Sequence, residues 1–597
     1  MHGTCTQAGD AIEAESVLSV FAPKAIPRRR PNQRLYLGAV KSNMGHGGAA
    51  AGISSLIKTL LCFEHDKIPP HVGIKTVINP AIPRDLARRQ VALAGAKTQW
   101  PGSGSQKRLA MVNSFGSSGG DSSLLLENRP EKRLSSTSSN RVLNPFVFSA
   151  QSLKSLRANL ENMVNYLDQH PDTHLGSLSY TLSARRLHHD LRVATTANSV
   201  EALHKFIKSS LETELSDIHP VSTDRPSVIF TFTGEGSAYS GSPNLFAECA
   251  SFRRQVIQLD AIVRRLGFNS VIPVMNGSAS KEYATHPIVS QQTIVVLEIA
   301  LARYWMTMGI QPSMVAGHSL GEYSAMAVAG ILSASDALFL VGRRAQLTLD
   351  RCVLGSYSML STRASAEEIR TSLKQLKEDP TTANVSYEIA CQNGEKDTVL
   401  GAPKGDIAVI SRVLKAAGHK CIELAMPFAY HTAQMDAIVT EFYSLACNTP
   451  FKVSSIPYIS ALLGEVIPEG KGIDADYMRR QTRETVNFIG AINAAMKSGI
   501  ANERTVWIDI GPHPICAGFL KAAVPGSIVL SSCRRNEETV ETLTKSLVQL
   551  HLAGLEPTWN EHFRDREDCF TVLKLPKYSW DEVDYGTTSR RRVLPRR

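Results

Sequence analysis

The chain has 597 residues, 43% of them hydrophobic and 20% charged, with a formal net charge of +10; this length predicts about three or four domains and the composition excludes fibrous and wholly disordered classes. The positive excess gathers in Arg28-Arg29-Arg30, Arg34, Arg590-Arg591-Arg592 and Arg596-Arg597, and because no basic helix with interleaved aromatics accompanies it, nucleic-acid binding is set aside in favour of an acidic protein partner or a phosphorylated cofactor. Ten scattered cysteines without a C-x-x-C, and an N-terminus without an apolar leader, point to free thiols in a reducing cytosol, hence a cytoplasmic protein without a structural metal.

Residues 1–128 are rich in Gly and Ala, with apolar residues at helical spacing, Ile53, Leu56, Ile57, Leu60 and Leu61, after a glycine-rich stretch. Three segments stand out here: His2-Gly3-Thr4-Cys5-Thr6-Gln7-Ala8-Gly9-Asp10, Lys41-Ser42-Asn43-Met44-Gly45-His46 and Asn113-Ser114-Phe115-Gly116. They resemble the two histidine motifs and the gating loop in the C-terminal half of a β-ketoacyl synthase, with Cys5 where that family has Gly. The resemblance implies that His2 and His46 are decarboxylation histidines with Lys41 beside them. None of the ten cysteines has the Thr-Ala-Cys-Ser neighbours of that family's nucleophile, which precedes the first histidine motif, so this half is expected to be inactive in condensation and to need a partner over its exposed core. Gly119-Gly120-Asp121-Ser122-Ser123-Leu124 looks like a carrier-protein phosphopantetheine site, but it follows a strand-like segment rather than heading a helix, which argues against that role.

A polar run with Ser135-Ser136-Thr137-Ser138-Ser139 marks a surface linker, and 129–225 as a whole reads as a small α/β linker unit without chemistry. From Val228 a larger α/β region begins: strand Val228–Phe232 runs into Gly234-Glu235-Gly236, and the apolar stretch Ile294–Met308, broken by Glu298 and Arg303, predicts a buried helix rather than a membrane span. Met314-Val315-Ala316 then leads into Gly317-His318-Ser319-Leu320-Gly321-Glu322, a G-x-S-x-G nucleophile elbow that thrusts Ser319 out at a helix N-terminus. Residues 356–424 read strand, helix, strand, strand, helix, strand, a ferredoxin-like insert, with Ser365-Ala366-Glu367-Glu368 as a capping box and Gly418 ending the second helix. A cleft between insert and parent subdomain is the expected substrate site.

The base for Ser319 is sought in Pro427-Phe428-Ala429-Tyr430-His431-Thr432-Ala433-Gln434-Met435. With that segment, the elbow and the closing Asp509-Ile510-Gly511-Pro512-His513-Pro514, residues 226–545 resemble the malonyl-CoA:acyl carrier protein transacylase domain of fatty acid and polyketide synthases. The resemblance implies an acyl-enzyme on Ser319 with His431 as base, oriented by carbonyls near 509–514, and an oxyanion hole from the backbone N–H groups of Leu320 and Glu235. It assigns substrate binding to Gln291 and to Arg343, the latter gripping the malonyl carboxylate, with its neighbour Arg344 as second choice. Glu235 departs from the family's Gln, and a carboxylate beside a developing oxyanion predicts weakened activity unless it is protonated or turned away.

Leu575-Pro576-Lys577-Tyr578-Ser579-Trp580 resembles the linker after such acyltransferases, with Tyr585 present and Gly586 where Trp is usual, so 546–597 reads as post-acyltransferase linker and basic tail. Together with Pro69-Pro70-His71-Val72-Gly73-Ile74-Lys75, the order of parts is most similar to the fungal non-reducing polyketide synthases. The fold expected is therefore multi-domain α/β: a partial thiolase-like ketosynthase half, the linker unit, and an acyltransferase with an α/β-hydrolase-like large subdomain and a ferredoxin-like insert. The resemblance implies malonyl-CoA as substrate, no covalently bound cofactor, and phosphopantetheine carried by a partner acyl carrier protein. Other polyketide synthase chains are further expected partners, and nucleic acid and membrane are not. The alternatives are a non-catalytic remnant that docks on another synthase chain, and a starter-unit acyltransferase.

Overall fold

The computed structural model describes residues 1–24, 33–100, 107–116, 118–128, 143–212, 217–222, 224–236, 239, 241–378 and 382–582. The arginine clusters at 28–30 and 590–597, the serine-rich linker at 135–139, Ser237-Ala238 and Tyr585-Gly586 lie outside the described residues. The chain divides into two compact units, Met1–Arg133 and Leu134–Arg597.

The second unit is organised by a six-stranded sheet in the order Glu465–Ile467, Tyr458–Ser460, Met314–Gly317, Val228–Phe232, Val506–Ile510, Ile528–Ser531. All neighbours run parallel except the antiparallel edge strand Glu465–Ile467. Val228–Phe232, Met314–Gly317 and Val506–Ile510 are buried at every position, as strands covered by helices on both faces must be. One covering helix, Pro287–Thr307, is buried around nearly its whole circumference, which is why its sequence reads as a continuous apolar run. No helix among the described residues is long and apolar enough to cross a membrane.

Strand order reverses at Val228–Phe232: the chain's next strand of this sheet, Met314–Gly317, lies on one side and the later Val506–Ile510 on the other. The carboxyl ends of adjacent parallel strands part at such a switch point, leaving a crevice. The Gly234-Glu235-Gly236 loop and the Ser319 elbow leave the sheet there.

The insert forms a second sheet in the order Cys421–Leu424, Tyr357–Thr362, Asp397–Pro403, Glu388–Gly394, extended by Val486–Asn487. Helices Ala366–Glu378 and Lys404–Ala416 close its own core of Leu360, Ile369, Leu373, Leu400, Ile410 and Leu414. Ser365 and Glu368 exchange the two hydrogen bonds of a capping box, Ser365 N–H to Glu368 Oε2 at 2.7 Å and Glu368 N–H to Ser365 Oγ at 3.1 Å.

Before the large sheet, Asn144–Ala150 pairs with Leu191–Ala197 under helices Leu153–Gln169 and Val200–Glu212, in a core that also takes Leu575 from the far end of the chain. Helix Thr539–Leu552 packs on both of these strands and on Ile528–Ser531. The boundary expected at 545 therefore falls inside a helix: Val540, Leu543, Leu547, Val548 and Leu550 are one buried face shared by both layers, and cutting it would expose both.

The first unit is built from small pieces. Leu35–Leu37 pairs in parallel with Val91–Leu93, and Leu109–Phe115 forms a hairpin with Asp121–Glu127 in which Ser122 opposes Ser114. Ser122 is thus a paired residue near the start of a strand, not the head of a helix. Helix Ala51–Glu64 buries Ala51, Ser55 and Cys62 and leaves Ile53 60% and Ile57 52% exposed, the reverse of the apolar face its spacing suggests. A cavity of about 1500 Å³ is lined by residues of this unit alone, among them Leu37, Lys58, Trp100 and Val112.

Candidate active site

The elbow begins with backbone geometry. Ser319 adopts φ +54°, in the left-handed region, which a non-glycine residue occupies at a cost and which active sites retain for aim. The glycines on either side are dictated by contact. A Cβ on Gly317 would lie 2.3 Å from the Cα of Glu322, and one on Gly321 would lie 2.2 Å from the carbonyl oxygen of Phe232. The turn therefore packs onto the adjacent strand and delivers Ser319 to the start of helix Gly321–Val328, with Leu320 at the N-cap. The amide of Leu320 precedes the first intrahelical bond and is available to an oxyanion. The loop holding Glu235 abuts the same place, since a Cβ on Gly234 would meet the His318 carbonyl oxygen at 2.6 Å.

Ser319 Oγ and His431 Nε2 are 2.7 Å apart. His431 also has a left-handed φ, +62°, and is 2% exposed. Its Nδ1–H donates to the carbonyl of Glu484 at 3.1 Å, which leaves Nε2 as the lone-pair nitrogen facing the serine. The orienting carbonyl is thus that of Glu484 and not one of the 509–514 segment. Glu484 caps the C-terminus of helix Ala475–Arg483, where the last carbonyls have no intrahelical donor and are free to accept. Asp509 is engaged elsewhere, accepting from Thr233 Oγ1 at 2.8 Å and from the amide of Ala517 at 2.7 Å. Burial, with the Arg344 charge next, pushes the His431 imidazole down to about 3, so the ring is neutral across the physiological range.

The insert braces the pair. His318 Nε2 is 2.8 Å from Asn393 Oδ1 on strand Glu388–Gly394, and Asn393 in turn approaches Asp397, the ion-pair partner of Arg363. Gln481 donates from Nε2 to the Ser319 carbonyl at 2.9 Å. Glu322 lies beneath the elbow and accepts from the hydroxyls of Tyr458 and Tyr477.

The cationic position differs from the sequence expectation. Arg343 is half-buried on the outer side of helix Ala334–Arg351, its guanidinium carbon 5.3 Å from the Phe268 ring centroid and Nη1 donating to Gln346 Oε1 at 2.8 Å. Arg344, one residue on and about 100° around the helix, is the residue that enters the site. It is 2% exposed, lies between the rings of Tyr323 and Tyr430 at 5.2 and 5.5 Å, and donates from Nη2 to Gln291 Oε1 at 3.1 Å. Its Nε has no partner, and no carboxylate among the described residues lies within ion-pair distance of it. The corrective signal was in the helix itself: Ala337, Leu340, Val341, Ala345 and Thr348 form the buried stripe, and 344 falls on it while 343 does not.

Gln291, fully buried, also donates from Nε2 to Glu235 Oε2 at 2.9 Å and to the Tyr430 hydroxyl at 2.8 Å. The Glu235 carboxyl is thus turned onto Gln291 and Tyr430. Burial pushes it up to about 7, against the lowering effect of Arg344 and of the hydrogen bonds from Tyr430 and Gln291. Gln481, Glu484, Tyr430 and Asn393 are the parts of the site that sequence reasoning missed. Gln481 and Asn393 act through common side chains distant in sequence from the elbow and the histidine, Tyr430 through a hydroxyl beside His431 that its type alone did not single out, and Glu484 through a backbone carbonyl, which every residue possesses.

In the first unit the structure does gather His2, Lys41 and His46. The two imidazole centroids are 6.0 Å apart, Lys41 Nζ donates to the His2 carbonyl at 2.5 Å, and the Phe115 amide donates to His2 Nδ1 at 3.2 Å. Among the described residues the one cluster with metal-like spacing is His188, His551 and Glu556. Arg192 donates to His551 Nδ1 at 3.3 Å and pairs with Glu556, so a guanidinium already occupies two of the three residues and the cluster does not fit a metal.

Three regions of the chain match known families. The family described as acyl transferase domain matches residues 229–557. The family described as β-ketoacyl synthase, C-terminal domain, matches residues 1–75, and a third, CurL-like PKS C-terminal, matches residues 144–207. Over 588 residues, 98% of its length, the chain is 54% identical to the non-reducing polyketide synthase nscA of Neosartorya fischeri and 53% identical to that of Aspergillus fumigatus. It spans 32% of the length of each of these relatives. Among solved structures, the acyl transferase domain of ZmaA superposes with a TM-score of 0.64 at 23% identity, covering 74% of this chain and 100% of that one. The acyltransferase domain from module 8 of the salinomycin polyketide synthase gives 0.59 at 20% identity, covering 70% and 98%. At such identities the likeness is one of fold.

Proposed function

Since the chain belongs to the acyl transferase family, carrying a polyketide synthase acyltransferase domain behind a ketosynthase C-terminal segment, we propose that it moves a malonyl group from coenzyme A to the phosphopantetheine thiol of an acyl carrier protein. Ser319 carries the acyl group between the two. The observation that supports this choice of substrate is Arg344: a buried guanidinium with no carboxylate in direct ion-pair contact, reaching Glu235 only through Gln291, beside an aligned serine–histidine pair. A buried unpaired cation is costly unless a ligand supplies the anion, and a carboxylate matches the planar guanidinium fork.

The mechanism follows from the contacts. His431 Nε2 takes the Ser319 proton as Oγ attacks the thioester carbonyl. The tetrahedral oxyanion is held by the backbone N–H groups of Leu320 and Glu235. His431 returns the proton to the departing coenzyme A sulfur, leaving malonyl-Ser319. The carrier thiol then gives its proton to His431 and attacks the same carbonyl; the ester bond to Ser319 Oγ breaks, His431 returns the proton to Oγ, and the carrier leaves as the malonyl thioester. His2, Lys41 and His46 take no part in this transfer. Of the two cysteines in their unit, Cys62 is buried with its thiol pushed up by burial, and neither it nor Cys5 is assigned a nucleophile's role.

Incubation with radiolabelled malonyl-CoA tests the proposal. Label should attach to the protein, be lost in Ser319→Ala, and pass to an added carrier protein. Folded protein that takes no label would overturn it.

A further inference from the structure

Glu235 and Arg344 are joined through a single amide. Gln291 Nε2 donates to Glu235 Oε2 at 2.9 Å while Gln291 Oε1 accepts from Arg344 Nη2 at 3.1 Å. A carboxyl group and a guanidinium therefore polarise one fully buried side chain from its two ends. The Tyr430 hydroxyl accepts from the same Nε2 at 2.8 Å, and its ring lies 5.5 Å from the guanidinium carbon, which fixes all four groups against one another.

Resting on the acyl-serine reading above, we infer that Glu235 is a positioning residue for acyl selectivity: coupled to Arg344 through Gln291, its carboxylate competes with that of a dicarboxylic acyl group and, when ionised, favours uncharged acyl groups. The competition is electrostatic. A dicarboxylic acyl group bound at Arg344 places its own carboxylate near the one that Glu235 already presents, and both draw on one cation. An acetyl or longer neutral acyl group carries no such charge. With Glu235 protonated, Arg344 is uncompensated and the malonyl carboxylate is the stronger partner.

The group titrates where this matters, because burial raises it to about 7. Facing it are Arg344 from helix Ala334–Arg351 and Tyr430 from the segment after the insert, whose phenol burial holds well above its ordinary value. On the elbow side, His318 and His431 are both lowered, chiefly by burial. Beneath the loop, Asp509 holds Thr233 and is itself raised to about 7, and Glu298 is raised well above its ordinary value. Asp509 could thus impose a slope of its own, so the comparison must be with a variant that changes Glu235 alone.

The test is the ratio of kcat/KM for malonyl-CoA to that for acetyl-CoA, measured for the full chain between pH 6 and 8.5. In the wild-type chain the ratio should fall about tenfold across that range, the effect of one compensating charge acting through a partly polar site. In Glu235→Gln it should stay at its low-pH level throughout, with the gain appearing in KM for malonyl-CoA. Glu235→Asp keeps the charge and should keep the slope. A Gln variant with the wild-type ratio and slope, or an Asp variant indistinguishable from Gln, overturns the inference. Equilibrium binding of malonyl-CoA and acetyl-CoA to Ser319→Ala, with and without Glu235→Gln, reads the same competition without turnover. If Ser319 takes no label, the transferase reading fails, and binding decides Glu235 by itself: a pH-dependent malonyl preference removed by Gln upholds it, and no preference or no binding overturns it.

Discussion

The two units each gather a nucleophile-type or acid–base cluster from distant motifs, and they do so on different foundations. Around Ser319 and His431 a continuous core runs from Phe230 and Phe232 through Leu297 and Trp305 to Val506 and Leu547, all of them essentially inaccessible to solvent. Around His2 and His46 the buried core is Leu18, Ala22, Leu37 and Val91, while large apolar side chains on helix Ala51–Glu64 and the hairpin strand Asp121–Glu127 stay exposed, Leu125 by 67%. The contrast shows what a core contributes to a site. In the second unit, burial sets the protonation of the base, isolates a cation and strains two backbone positions into aim. In the first, residues of the right types meet, yet the surroundings impose less.

The sharpest way to break this contrast is to remove the nucleophile. Ser319→Ala should lower acyl transfer by at least about 10⁴-fold, whereas His2→Ala should leave malonyl labelling of Ser319 unchanged; equal losses in a stopped-label assay would mean that the first unit takes part in the transfer. Next is the cation. Arg344→Ala should lower kcat/KM for malonyl-CoA by about 10²- to 10³-fold, the range for removing one partner of a buried charge pair, and should spare acetyl-CoA. Arg343→Ala should change either substrate less than about threefold, as surface substitutions do. Parallel kinetics on the two variants settle which arginine faces the substrate.

That pair of neighbours also marks how far the sequence could be read. The elbow and the histidine segment were legible because each is a compact string whose local geometry, strand to turn to helix, is encoded in consecutive residues. The ferredoxin-like insert was legible for the same reason, through Ser365 and Glu368 at one helix start and a strand–helix alternation. The arginine was not, since a step of one residue on a helix is a change of face, and only the stripe of buried neighbours resolves it. The carbonyl of Glu484 and the amide of Gln481 were illegible in principle: their role is fixed by where helix Ala475–Arg483 ends in space, not by residue type.

Packing should separate the units by a smaller margin. Leu297→Ala, fully buried, is expected to cost about 2–5 kcal/mol, and Leu60→Ala, 49% exposed, about 0.5 kcal/mol or less, both read from denaturant midpoints. Comparable costs would show that the exposed face is covered in solution. The smallest effect is one of pH. Glu322 and Asp509 are buried carboxyls raised to about 7 from ordinary values of 4.5 and 3.8, burial being the first cause of each. A folded-state value above the unfolded one gives stability that is full below about pH 4 and is lost as pH rises through about 7. The second unit's thermal midpoint should therefore fall by a few degrees between pH 5 and 8, and Glu322→Gln should flatten that fall; a slope unchanged by the substitution would assign it elsewhere.

Ser319 and His431 both sit at positive φ, and this makes their positions unusual under mutation. Most substitutions in a buried setting destabilise, but glycine at either position would relax the backbone while abolishing the chemistry. Backbone relief and the side-chain chemistry thus point in opposite directions at these two sites. The left-handed geometry of Ser319 and His431 is a local backbone cost that the surrounding packing holds in place.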